Sequence, residues 1–129
     1  MALTVTAAAC QSMGAALATA IGASSTIKLY TGTKPATPET AASGTLLATV
    51  TITGSFTSTA GVLTAADPAS VTPAANGTAG YFRVATSGGT AILDGTVGTS
   101  GADMNLSSTT IATTSPLDLG VPSITVPVA

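Results

Sequence analysis

Turn residues punctuate this chain about every ten positions from Ser25 onward, and that spacing limits each regular element to a short strand. Ile27-Lys28-Leu29-Tyr30 alternates apolar and polar positions, as a half-buried strand does. Gly32, Pro35 and Pro38 make residues 31–39 an irregular loop. Residues 45–53 read as a strand rich in β-branched side chains (Val50, Thr51, Ile52), stopped by Gly54 and Ser55. Residues 56–59 and 62–65 read as two arms around Ala60-Gly61. Residues 66–77 form a loop with Pro68, Pro73 and an Asn76-Gly77 turn. Residues 80–85, the most aromatic segment, read as a central strand. Ser87-Gly88-Gly89-Thr90 is a hairpin turn, and residues 91–97 pair back across it. Shorter runs follow at Met104-Asn105-Leu106 and at Ile111. Residues 123–126 make the last strand, bracketed by Pro122 and Pro127, a setting that suits a sheet edge. About seven or eight short strands in one chain point to an all-β fold, an antiparallel β-sandwich or open barrel.

The N-terminus has a different texture. Thr6 is placed to cap a helix over residues 7–20, and Gly22 to stop it. Met13, Leu17, Ala20 and Ile21 fall at helical spacing and predict one apolar packing stripe; Gly14 works against the helix. The chain thus divides into a short helix or arm (1–24) and a β-sandwich domain (25–129). The apolar run within residues 7–21 lacks a basic flank and is too short and polar to span a bilayer, so neither a targeting signal nor a membrane partner is expected.

Composition narrows the chemistry. The 129 residues include no His, no Trp and one Cys, and the only cations are Lys28, Lys34 and Arg83. Most triads, zinc sites and proton shuttles need a His. Three scattered cations make no phosphate-binding patch, so nucleic acid is not an expected partner. Charged residues are 6% of the chain, against about 25% in ordinary soluble domains, while 45% are hydrophobic. Disorder has the opposite signature. With two Phe and two Tyr, the core must be built from small aliphatic side chains. A net charge of −2 opposes association only weakly, which favours a surface covered in an assembly. Cys10, in an Ala-rich run, reads as a small buried hydrophobe.

Few constellations invite a chemical reading. Asp94 and Asp103 flank a Gly-rich loop and are of the type that ligates Ca2+, but the spacing does not match an EF-hand. Turn and capping roles are the expectation, with no metal and no cofactor. The loop has no following Lys to make a phosphate cradle. Arg83, in a strand, is expected to pair with a nearby acid such as Asp94, directly across the hairpin or one strand away. Lys28 and Lys34 read as solvated or snorkelling. Asn76-Gly77-Thr78 and Asn105-Leu106-Ser107 match the glycosylation sequon; without a secretory signal both are read as chance. No nucleophile–base pair is evident, so no catalytic residue and no enzyme activity are expected.

Three segments carry a resemblance. They are Ile27-Lys28-Leu29-Tyr30-Thr31-Gly32-Thr33-Lys34-Pro35-Ala36, Gly44-Thr45-Leu46-Leu47-Ala48-Thr49-Val50, and Gly77-Thr78-Ala79-Gly80-Tyr81-Phe82-Arg83-Val84 with the following residues 92–104. Residues 25–126 resemble small structural proteins of tailed bacteriophages and prophages. The resemblance implies a β-rich virion component with no catalytic residues to carry over. Such proteins are often head decoration (cement) proteins that cap contacts between capsid subunits, often as trimers; others belong to the tail, collar or fibres. The partners expected are the major capsid protein and further copies of this chain, and the location is the virion. Assembly contacts are expected at Leu17 and Ile21 in the arm and at Ile124 and Val126 in the last strand. A Ca2+- or glycan-binding module on a fibre is the competing expectation.

Overall fold

Thr6 and Gly22 delimit the helix as their chemistry requires. In the computed structural model, which describes residues 6–59, 62–66, 68–119 and 123–125, α1 runs Ala7–Ile21. The Thr6 hydroxyl accepts from the Ala9 N–H at 3.1 Å, satisfying one orphan donor of the first turn. Gly22 takes φ +75°, open to glycine at little cost, and its N–H returns to the Ala18 carbonyl at 3.0 Å.

The face that α1 buries differs from the expected stripe. Cys10, Gly14, Ala18 and Ile21 are buried, Leu17 is half-buried, and Ala20 and Met13 face outward, Met13 being 41% exposed. The reason lies outside the helix. α1 packs on the strands β3 (Thr57–Thr59) and β4 (Val62–Thr64). Gln11 Nε2 donates to the Ser58 carbonyl at 2.6 Å, and Ser58 Oγ donates to the Gln11 carbonyl at 3.4 Å. That tether sets the helix rotation and brings small side chains against β3. Gly14 costs the helix roughly 1 kcal/mol relative to Ala but sits on the packing face, where small side chains allow close approach.

The larger sheet is six-stranded. Its order is β2 (Leu46–Thr51), β1 (Thr26–Thr31), β5 (Gly77–Ala85), β6 (Ala91–Gly98), β7 (Met104–Asn105), and β8 (Thr110–Ile111) pairs with Gly77 and Thr78 of β5. β5 is central, as its aromatic and β-branched content predicts. It lies antiparallel to β1 (Leu29 opposite Phe82) and to β6 (Arg83 opposite Asp94). The Ser87–Thr90 turn closes where it was read, with Thr86 and Thr90 joined by a 2.9 Å backbone bond.

One pairing departs from the antiparallel expectation. β7 runs parallel to β6, with Val97 opposite Met104. Asp103 causes this return. Its carboxylate accepts from the Thr96 N–H at 2.9 Å and its own N–H donates to Thr96 Oγ1 at 3.1 Å, so the chain comes back alongside β6 in the same direction. The sheet is therefore mixed, and the fold is mostly β with one helix rather than all-β.

β3, β4 and β9 (Ser123–Thr125) form a second, antiparallel sheet, with Leu63 opposite Ile124. β9 lies at its edge; Pro122 and Pro127 are outside the described residues. One apolar cluster joins Ile27, Leu29, Phe82 and Val84 of the large sheet to Leu63 and Ile124 of the small one and to Ala18 and Ile21 of α1. The helix thus packs back onto its own chain. Each fully buried aliphatic side chain contributes roughly 1.5–3 kcal/mol of transfer free energy. Gly95 is required by this packing: a Cβ there would sit 2.5 Å from the Phe82 ring.

Candidate functional site

Alternation along β5 separates two chemistries. Phe82 and Val84 enter the apolar cluster, while Tyr81 and Arg83 face the other way. Arg83 Nε donates to Asp94 Oδ1 at 2.7 Å and Nη2 to Asp94 Oδ2 at 2.9 Å, a bidentate pair. Its side chains are 9% and 3% exposed. Nη2 also donates to the Thr40 carbonyl at 2.8 Å. The hydrogen bond to Asp94 raises the Arg83 pKa further above its usual value, outweighing the opposing effect of burial.

Thr40 belongs to the long connection between β1 and β2, residues 32–45, which folds over this face of the sheet. Tyr81 is the second anchor. Its hydroxyl donates to the Ser43 carbonyl at 2.7 Å and accepts from the Ser43 N–H at 3.0 Å. Tyr30, opposite Tyr81 in the register, stacks on it with ring centroids 5.1 Å apart and planes 10° from parallel. Partial burial, then the Tyr81 and Asp94 charges, push the Tyr30 hydroxyl above its usual pKa, while Arg83 pulls the other way. The guanidinium and the Tyr81 hydroxyl hold the loop to the sheet by hydrogen bonds, and the Asp94 carboxylate fixes the guanidinium in place. The cluster acts as a lock between elements.

Arg83 and Asp94 meet as expected, directly across the hairpin. Asp94 and Asp103 do not converge: one faces Arg83 and the other Thr96. Among the described residues no group of three or more His, Cys, Asp or Glu is placed to hold a metal ion. Cys10 is buried. Asn76 Oδ1 accepts from the Thr113 N–H at 2.8 Å and Asn105 Oδ1 from the Ala102 N–H at 3.0 Å, so both sequon amides tie loops.

The residues expected at assembly contacts are spent largely inside the chain. Leu17 packs half-buried against the core, and Ile21 and Ile124 are 1% and 5% exposed within it. Val126 lies outside the described residues. Tyr30, Tyr81, Thr40 and Ser43 were not singled out as site residues. Lys28-x-Tyr30 and Tyr81-x-Arg83 carry a signal for the tyrosines, polar and aromatic positions sharing one strand face. Thr40 and Ser43 act through backbone atoms, which leave no residue signature.

Among the described residues, open hollows flank the core at two places. One of about 500 Å³ lies between α1 and residues 55–58, lined by Ala15, Thr19, Phe56 and Ser58 among others. The other, about 300 Å³, lies against Pro73, Ile111 and Leu117. Neither is lined by a charged side chain. No described helix is long and apolar enough to cross a membrane. Comparison of the chain with protein-family models, with curated proteins and with solved structures gave no match in any of the three.

Proposed function

We propose that this chain is a non-enzymatic structural protein of a tailed-bacteriophage virion, most consistent with a capsid decoration (cement) protein that binds the major capsid protein and further copies of itself. In this reading the two sheets and α1 are the layers of a β-sandwich, drawn together by the shared apolar cluster. The observation that carries the proposal is where the charge sits. Arg83 and Asp94 neutralise each other in a buried pair, so two of the few charged side chains are withdrawn from the surface. What remains outside is largely Thr, Ser and Ala, with Thr49, Thr51, Thr57 and Thr59 all exposed on strands. Natural monomers guard strand edges with charge, and a surface this neutral suits one that neighbours cover. Contacts on a symmetric shell need only be weak individually, because multivalency raises the effective concentration of each further contact.

The test is binding to empty phage heads together with native mass spectrometry of the isolated chain. Cosedimentation with heads in regular stoichiometry supports the reading. A strict monomer that leaves heads bare overturns it. Melting with and without a Ca2+ chelator addresses the Ca2+-binding alternative, and an unchanged transition is expected because Asp94 is held by Arg83.

A further inference from the structure

The connection over the outer face of the larger sheet divides into a body, a stem, two hinges and a latch. The body, residues 33–43, is tied to itself. The Thr40 N–H donates to the Thr37 carbonyl at 3.1 Å across a turn containing Pro38, and the Thr37 and Thr40 hydroxyls meet at 3.2 Å. Ser43 Oγ donates to the Thr33 carbonyl at 3.3 Å, joining the outgoing and returning limbs. The stem is fixed without the body. The Thr31 N–H donates to the Thr45 carbonyl at 3.1 Å, and the Thr45 N–H to Thr31 Oγ1 at 2.9 Å. Gly32 lies so close on Gly80, and Gly44 on Thr31, that a Cβ at Gly80 or Gly44 has no room. Where body meets stem stand Gly32 at φ +85° and Gly44 at φ +77°, residues free to rotate between positive and negative φ. The latch is the Arg83 bond to the Thr40 carbonyl and the Tyr81 hydroxyl's bonds to the N–H and C=O of Ser43. No residue of the body belongs to the apolar cluster; Pro35 and Pro38 are half-buried and the others are exposed.

We propose that residues 33–43 are a lid that swings as one piece about Gly32 and Gly44 while both sheets stay folded, uncovering the outer face at Tyr81 and Arg83. Segments with few apolar contacts and solvent-facing hydrogen bonds open locally, at free energies well below that of global unfolding. Opening here breaks the latch alone. The Thr37–Thr40 turn and the Thr33–Ser43 tie keep the body in shape, and the Thr31–Thr45 bonds keep the stem closed, so the rotation falls on the two glycines. Arg83 keeps Asp94 in both states, so opening leaves no charge buried without its partner. The open lid bares a guanidinium N–H and a phenol hydroxyl, both released from backbone partners. The lid is independent of the virion reading, which head binding tests separately.

The experiment is amide hydrogen exchange of the full chain in a series of denaturant concentrations below the unfolding transition. The Ser43 amide reports the latch, Thr40 the body, Thr31 the stem and Phe82 the sheet. Ser43 is expected to exchange at a rate that barely changes with denaturant, because lid opening exposes little surface. Thr40 and Thr31 stay better protected than Ser43, and Phe82 exchange rises with the slope of global unfolding. Arg83→Lys keeps a cation for Asp94 but loses the fork that also reaches the Thr40 carbonyl. Arg83 does not touch Ser43, so Ser43 exchange about fivefold faster in this variant shows that the two latch points move together. Phe82 in the same sample reads any global loss and is subtracted. Ser43 exchanging with the denaturant slope of Phe82 overturns the proposal, because the segment would then open only with the sheet. So does equal protection at Thr40 and Ser43, the sign of fraying, or an unchanged Ser43 rate in Arg83→Lys.

Discussion

The two faces of the larger sheet are held by different physics. On the inner face Ile27, Leu29, Phe82 and Val84 are each 0% exposed and contribute through filled volume. On the outer face Arg83, Asp94, Tyr81 and Tyr30 contribute through direction: a bidentate pair, a hydroxyl that both donates and accepts, and a ring stack. Volume is forgiving of identity and unforgiving of loss. Directional bonding is unforgiving of half-removal, because the abandoned partner stays buried. The contrast explains how a chain with so few aromatic and charged residues keeps a defined structure: it places three of its four aromatic side chains, together with Arg83 and Asp94, on one central strand and its neighbours.

The largest effect is expected from Phe82→Ala, which empties the inner face at its centre and costs about 3–5 kcal/mol in chemical denaturation. Phe82→Leu should cost clearly less; equal losses would mean that volume is not what matters there.

On the outer face Arg83→Met leaves Asp94 buried without its cation and costs about 3 kcal/mol or more. Adding Asp94→Leu should recover most of it, to within about 1 kcal/mol of the unmodified chain. A double variant as unstable as the single one would erase the distinction between the faces, since the pair would then not act as a unit.

Tyr81→Phe separates the lock from the sheet. It removes both bonds to Ser43 and is expected to cost about 1 kcal/mol. Its sharper readout is faster hydrogen exchange and proteolysis confined to residues 32–45, with the inner face unchanged. Uniform loosening of both would show that the loop is not held locally.

The smallest effect is a pH dependence. The native state holds the Tyr30 proton more tightly than the unfolded chain does, so this contribution is present in full below about pH 10 and is lost as pH rises beyond it. Denaturation midpoints should fall more steeply above about pH 10 in the unmodified chain than in Tyr30→Phe. Identical slopes would mean that the outer face does not sense the Tyr30 hydroxyl.

Much of the local design was legible. Thr6 and Gly22 announce the helix ends, and the Ser87–Thr90 turn sets the register that puts Arg83 opposite Asp94. The β3–β4 hairpin lies where its arms were read. Each of these depends on residues close in the chain, whose turn chemistry and alternation settle the outcome before anything distant is in place.

Four features were decided by tertiary structure. Gln11 and Ser58, 47 positions apart, choose which face α1 buries. Asp103 folds back on Thr96 to make the one parallel pairing among the described strands. Thr40 and Ser43 hold the outer face through backbone atoms, whose positions no side-chain pattern reveals. And β2 is left with Thr49 and Thr51 exposed, because beyond Leu47 it pairs among the described strands with β1 alone. The sequence by itself determined the strands, the turns and the scarcity of charge, because these follow from local propensity and composition. The closing of the loop and the exposure at β2 follow from which distant groups meet, and only the folded chain brings them together.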